Sequence, residues 1–475
     1  MRRFALLSSV LGTLLMSLAS NGVGAMELGK MAAADLARLK ARTVCSCVFV
    51  QRMSLEQCSD GRSAIWRYPL TDAAPPLLTA ANQRLDVTRT SDGGWVRLLE
   101  GERVLAQSRY IADGGGCVTQ SAEQSLSAGK TMPAALAAPD SERLPRSAPP
   151  SRVDAKQLEA ILTEGFATTG PLAGFARAAV VVSGDRVIAD RYAPGYSPHN
   201  LYYVGSIAKT QSNLLAGLLV RDGKLKVDDK VSLPEWLESG DGRGQITYDH
   251  LLKMVSGLSW DEQFWAPGEP GYEVFYGGAS SMDELRYMSA RPLEASPGTH
   301  FEYSTGSATL LGAALQAKIG AGAREPLLKY VREQLLEPIG ARQFVPEFDA
   351  AGNVNPGHAL FTGAEDLARI GMLWRNDGVW KGRRVLPEGW VTYSTKPALP
   401  AAPDYGAQLM LNMAGVPGCF GHQGVGSNFL VVCPKRNLVV VWLNSIFNFT
   451  GVVAYDAPET LLGRLIKLFP ERATP

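Results

Sequence analysis

Apolar positions fall in short dense runs toward both ends of this 475-residue chain and at wider, helical spacings through its middle. Ala178-Ala179-Val180-Val181-Val182 and Arg186-Val187-Ile188-Ala189 flank the turn residues Ser183-Gly184-Asp185, which predicts a β-hairpin. Residues 406–413, 417–423, 428–433 and 438–443 predict four more strands, and 458–469 a closing helix. Asp154 to Ala167 alternates with a helical period, and residues 230–400 read mostly as helix and loop with many Gly and Pro. Strands from both ends around a helical middle predict an α+β fold. One antiparallel sheet is flanked by helices, the middle forms a mainly helical lobe, and a cleft lies between them.

Ahead of this body, residues 26–118 hold four cysteines and β-like stretches at Cys47–Val50, Leu85–Thr88 and Trp95–Leu99, with turns at Asp92-Gly93-Gly94 and Gly101-Glu102. They read as a small disulfide-bonded module. Residues 119–151 are rich in Ala, Ser and Pro and read as a linker, which leaves 152–475 for the main domain. Residues 1–25 begin Met1-Arg2-Arg3, continue apolar from Phe4 to about Leu18 and end in Asn21-Gly22-Val23-Gly24-Ala25, the pattern of a signal peptide cleaved after Ala25. Polar and small residues (Ser8, Ser9, Gly12, Thr13 and Ser17) interrupt the apolar run, which is too short for the ~20 residues of a spanning helix. The expected location is periplasmic or secreted, with no stable membrane anchor after cleavage.

Charge changes this picture little. The formal net charge is +1, and removal of Arg2 and Arg3 with the leader takes Lys+Arg from 47 to 45 against 46 Asp+Glu, a net of −1. Such a balance offers no field for nucleic acid or anionic lipid, so the expected partner is a small-molecule substrate. Cysteine use is more informative. Cys45, Cys47, Cys58, Cys117, Cys419 and Cys433 form an even set, as disulfides in an exported protein require. A hairpin centred near Gly426 puts Cys419 opposite Cys433, whereas the pairing of the other four stays open. Cys45-x-Cys47 lacks the spacing and the nearby histidine of a zinc site, and no metal or organic cofactor is expected.

The chemistry centres on Ser206-Ile207-Ala208-Lys209 at the start of a helix. Residues three apart share a helix face, so the lysine amine stands beside the serine hydroxyl, a weak nucleophile that needs a neighbouring base. Ser127-Ala128-Gly129-Lys130 repeats the pattern, but within the linker and with no core around it. Tyr303-Ser304-Thr305 precedes a helical run from Ala308 to Ala317; a tyrosine near a lysine is a candidate phenolate-like base. Tyr393-Ser394-Thr395 is its decoy, followed by Lys396-Pro397 and no helix. The third element is His422-Gln423-Gly424-Val425 on an inner strand. Small residues there let substrate lie along the strand, and the Val425 and Ser206 N–H groups form a candidate oxyanion site. The aromatics Trp260, Phe264, Trp265, Tyr272, Phe275 and Tyr276 are expected to pack, with cleft lining as the alternative.

Together these motifs resemble the serine β-lactamase and penicillin-binding-protein superfamily, and within it the class C β-lactamase-like hydrolases that include esterases and 6-aminohexanoate-dimer hydrolase. Leu251–Trp260, Pro297–Ser304, Glu365–Gly371 and Leu386–Trp390 are similar to that group as well, so the resemblance covers about residues 152–470 and leaves 26–118 unexplained. It implies a Ser206 acyl-enzyme with Lys209 and Tyr303 handling protons, and Val425, Thr305, His422 and Gly424 at the oxyanion and substrate. Two departures matter: Thr305 stands where the group has Asn, and His422 where lactamases have the Lys that attracts a carboxylate. They favour ester or linear amide substrates over β-lactams or D-alanyl-D-alanine. The rival reading is a binding or sensor protein of the same fold with little turnover; the presence of Ser206, Lys209 and Tyr303 together argues against it.

Overall fold

The structure, a computed structural model, describes residues 33–59, 82–91, 93–112, 115–120, 142–169, 176–263, 267–278, 283–320, 324–444 and 460–472. The leader, the Ser127–Lys130 decoy and the aromatics Phe264 and Trp265 lie outside the described residues.

The first element among the described residues is α1 (Ala33–Cys45), and a meander of β1 (Gln83–Thr90), β2 (Gly93–Glu100), β3 (Arg103–Ile111) and β4 (Gly116–Gln120) follows, antiparallel in that order. Cys45–Cys117 ties the end of α1 to β4, and Cys47 pairs with Cys58, which resolves the pairing that the sequence left open. Cys47–Val50, read above as extended, is instead part of a π-helical turn, Ser46–Val50, closed by Gln51 N–H donating to Ser46 O at 2.9 Å. All five residues of that turn are buried, and disulfides at Cys45 and Cys47 fix it, so tertiary constraint overrides the β-propensity of Val48, Phe49 and Val50. β4 runs to Gln120, two residues into the segment read as linker, and at that segment's other end Arg143 and Arg146 bridge to Asp190 and Glu365.

The main sheet carries out the expected plan, except that only Met410 and Leu411 of the expected strand 406–413 pair, the rest of that segment being turn and loop. β5 (Ala176–Ser183), β6 (Arg186–Tyr192), β7 (Met410–Leu411), β8 (Phe420–Gly424), β9 (Asn428–Cys433) and β10 (Leu438–Asn444) lie in the order β7-β8-β9-β10-β5-β6, every pair antiparallel. The central strands read as unbroken apolar runs because both faces are covered. Ala178, Val180 and Val182 of β5, with Val439 and Val441 of β10, face one core, and Ala179, Val181, Val440 and Trp442 face the other. That second core is closed by α2 (Ala155–Gly165) and, at the chain's end, by Leu461–Lys467. Asp154 caps α2 by accepting from the N–H groups of Lys156 and Gln157 at 2.9 and 3.0 Å, and Leu158, Ile161 and Leu162 turn inward. Gly165 meets Trp442 so closely that a methyl group there would lie 2.2 Å from the indole. Across the other core lie α3 (Thr210–Arg221), α4 (Thr305–Gly320) and α5 (Ala364–Arg375).

Phe420 pairs with Val432 in the β8–β9 ladder, so the register brings Cys419 and Cys433 together, and the two form a disulfide. Its loop spans 14 residues, for which chain entropy gives about 3 kcal/mol. Non-reducing peptide mapping should recover the joined peptides, and replacing both cysteines with serine should lower the melting temperature. Free thiols at both positions in protein matured outside the cytoplasm would contradict the register.

Candidate active site

Two backbones interlock where the site forms. Tyr202–Tyr203 pairs with Leu360–Thr362, Val204 N–H donates to Leu360 O at 3.1 Å, and Gly205 then turns the chain at a φ of 57° into a 3-10 turn, Gly205–Lys209. The end of β8 presses against this turn. A methyl group on Gly424 would sit 1.9 Å from Val204 O and 3.1 Å from Ser206 N, and one on Gly205 would sit 2.6 Å from Val425 N. Only glycine at both positions permits this approach, which brings the backbone at Ser206 close to that at Val425. Asn428, buried in β9, fixes the turn: its Nδ2 donates to Val425 O at 2.8 Å, and its Oδ1 accepts from Asn444 N–H at 2.9 Å. Sequence reasoning passed over Asn428.

In a 3-10 turn, side chains three apart eclipse one another, so Lys209 stands directly over Ser206. Lys209 Nζ donates to Ser206 Oγ at 3.1 Å, Thr305 Oγ1 at 2.9 Å and Gly357 O at 2.6 Å, and the side chain is wholly buried. All three acceptors are neutral. Burial therefore pulls the amine down to about 8, with Glu262 pulling weakly the other way.

Glu262 was also missed from sequence, although it lies two residues beyond Trp260 of the quoted motif. Its carboxylate accepts from Trp260 Nε1 at 2.6 Å, from Thr305 N–H at 2.9 Å and from the Thr305 hydroxyl. Thr305, expected at the substrate, is wholly buried, with its hydroxyl between Lys209 and Glu262.

Tyr303 lies beside the pair. Lys209 Nζ is 4.7 Å from its ring centroid, and its hydroxyl interacts with that of Ser206. Burial and Glu262 hold the phenol well above its ordinary range, outweighing Ser206, so a phenolate is disfavoured, whereas the Lys209 amine is drawn down. The decoy Tyr393 is elsewhere, donating to Asp249 Oδ1 at 2.6 Å and packed on Trp390. His422 is wholly buried between Tyr303 and Tyr405, with Nδ1 2.7 Å from Gln423 O and Nε2 without a hydrogen-bond partner among the described residues. Burial and the Lys209 charge push it down to about 3, so it is neutral and offers no cation to a substrate carboxylate. Of the described aromatics, Trp260, Tyr272 and Tyr276 are buried, and Phe275 stacks on His358 at 4.2 Å. Among the described residues no group of three His, Cys, Asp or Glu is placed to hold a metal ion.

The family model described as Beta-lactamase matches residues 172–464. The 6-aminohexanoate-dimer hydrolase of Paenarthrobacter ureafaciens is 25% identical over 224 residues, which are 45% of this chain and 55% of that one. The match thus spans about half the length of this curated relative. A Bacillus anthracis structure provisionally named a 6-aminohexanoate-dimer hydrolase superposes with a TM-score of 0.51 at 19% identity, covering 64% of this chain and 82% of the other. A Bacteroides dorei structure provisionally named a beta-lactamase gives 0.50 at 19% identity, covering 62% and 90%. At such identities the likeness shows the fold.

The interlock makes a direct prediction. Gly424→Ala should displace the Ser206 and Val425 N–H groups from each other and slow acylation by about a hundredfold, the typical loss for one oxyanion donor. Gly278→Ala, where the added methyl group meets nothing within 4 Å and the backbone is not left-handed, is the matched control. Equal acylation rates in Gly424→Ala and the unmodified protein would count against the oxyanion assignment.

Proposed function

The chain belongs to the beta-lactamase family, and we propose that it is an exported serine hydrolase that cleaves an ester or linear amide bond through a Ser206 acyl-enzyme. The observation that carries this reading is the wholly buried Lys209 amine, 3.1 Å from Ser206 Oγ and drawn down to about 8. Neutral Lys209 takes the Ser206 proton as Oγ attacks the carbonyl carbon, and the oxyanion is held by the Ser206 and Val425 N–H groups. The Tyr303 phenol gives its own proton to the leaving oxygen or nitrogen as the bond to carbon breaks, and the Lys209 ammonium restores that proton to Tyr303. Water, deprotonated by the same amine, then clears the acyl group and releases the acid.

Substrate class follows from charge. In place of the lysine that lactamases turn toward a carboxylate stands neutral His422, which removes one reason for a penicillin-like acid to bind. The relative named a 6-aminohexanoate-dimer hydrolase makes a linear amide dimer a natural member of the test set.

Purified protein should hydrolyse a short-chain nitrophenyl ester or a linear amide dimer faster than a chromogenic lactam. Because ammonium cannot accept a proton, kcat/KM should rise with pH through about 8. The same protein, recovered from periplasm or medium, should begin near Met26. Efficient lactam hydrolysis with esters and amides ignored would overturn the substrate ranking, and a rate independent of pH from roughly 6 to 9 would overturn the role of Lys209.

A further inference from the structure

The domain that matches the family begins at residue 172, yet the module before it reaches toward the base. α1 ends beside the main domain, where Arg42 Nε and Nη2 donate to Glu347 Oε2 at 3.0 and 2.6 Å, and Ser46 Oγ donates to Glu347 Oε1 at 2.7 Å. Glu347 is 2% exposed and Ser46 1%, so this is an interior clamp rather than a surface ion pair. Disulfides at Cys45 and Cys47, on either side of Ser46, hold the clamp.

From Glu347 the hydrogen bonds run inward. Asn355 N–H donates to Glu347 O at 3.0 Å, and Asn355 Oδ1 accepts from Gly357 N–H at 3.1 Å. Gly357 O then receives Lys209 Nζ at 2.6 Å. Two further contacts brace the same segment: Asn355 Nδ2 donates to both Glu284 oxygens at 2.8 and 2.7 Å, and His358 lies under Phe275. The neighbouring Tyr272 donates to Asp35 of α1 at 2.8 Å. His358 is held well below its ordinary range by burial first, and then by the charges of both Arg42 and Lys209, so it senses both ends of the path.

We propose that the N-terminal module is a positioning device for catalysis, in which Arg42 and Ser46 hold Glu347 and, through Asn355 and the Gly357 carbonyl, fix Lys209 Nζ over Ser206. The proposal rests on the reading of Lys209 as the base. Arg42, Ser46, Glu347 and Asn355 touch no substrate; they act through the carbonyl that receives the amine. The titratable groups facing Lys209 are Glu262, Tyr303, His358 and His422, none of which belongs to the clamp. Cutting it frees the Gly357 carbonyl, which stabilises the ammonium, so the amine should become easier to deprotonate and less well placed.

The test compares full-length oxidised protein with Arg42→Met, Arg42→Lys, Ser46→Ala and the control Arg464→Met, which breaks an exposed pair with Glu164 far from the path. Steady-state kinetics are paired with NMR titration of isotopically labelled lysines, the Lys209 signal being identified by its loss in Lys209→Arg. Arg42→Met should lower kcat about tenfold with KM within about twofold, and lower the Lys209 titration midpoint by roughly half a pH unit. Arg42→Lys should recover part of both, and Arg464→Met should change neither. If Arg42→Met does not fold, Ser46→Ala, which deletes one hydroxyl, should give smaller changes in the same directions. Unaltered kcat and Lys209 titration in a folded, oxidised clamp variant would overturn the proposal. The titration reads Lys209 without turnover, so failure of the hydrolase reading and failure of the clamp are separate results.

Discussion

A buried amine whose hydrogen bonds all go to neutral oxygens sets the terms for the rest of this structure. Lys209 has a hydroxyl on one side, a second hydroxyl on another and a backbone carbonyl below, and among the described residues no carboxylate is hydrogen-bonded to it. Three acceptors satisfy the three donors of the ammonium but do not supply the solvation of water, so the charged form is weakened and the amine is brought near neutrality. Linkage gives this a sign. The folded state releases the proton near 8 while the unfolded chain holds it up to about 10.5, so unfolding takes up a proton between those values and stability rises with pH across that window. Below it, keeping Lys209 inside is a cost borne for function, and the surrounding packing must offset it.

Much of the fold supports that placement. The sheet is buried on both faces, which makes its inner strands rigid and lets the end of β8 serve as a fixed edge. Gly205 and Gly424 remove the side chains that would hold the nucleophile turn away from that edge, and Asn428 pins the turn that follows. Glu262 contributes through Thr305, orienting a hydroxyl toward the amine without neutralising it directly. Tyr303 lies beside the amine with its phenol kept protonated by burial and Glu262.

What the sequence made legible follows from range. The Ser206–Lys209 pair could be read because a three-residue spacing is local, and the hairpin around Gly426 because register is set by its turn. The main strands could be read because apolar runs flanked by glycine turns have few other uses. Glu262 and Gly357 could not, since they meet Thr305 and Lys209 across separations of 43 and 148 residues and carry no pattern of their own. The Arg42–Glu347 contact spans 305 residues. Cys47–Val50 was misread for a related reason: its local propensity is extended, but two disulfides and complete burial impose a helical turn. The contacts of Thr305 with Lys209 and Glu262 were not legible because a motif position fixes where a side chain starts, not which distant groups it meets.

The account stands on Lys209 activating Ser206, and covalent labelling by a fluorophosphonate reads that step without any choice of substrate. The labelled peptide should contain Ser206, and Ser206→Ala should not label. Lys209→Ala and Tyr303→Phe should each slow labelling by orders of magnitude, with the double variant little slower than either, as expected of groups that act as one unit. Labelling of the folded Lys209→Ala protein at the unmodified rate would contradict the account.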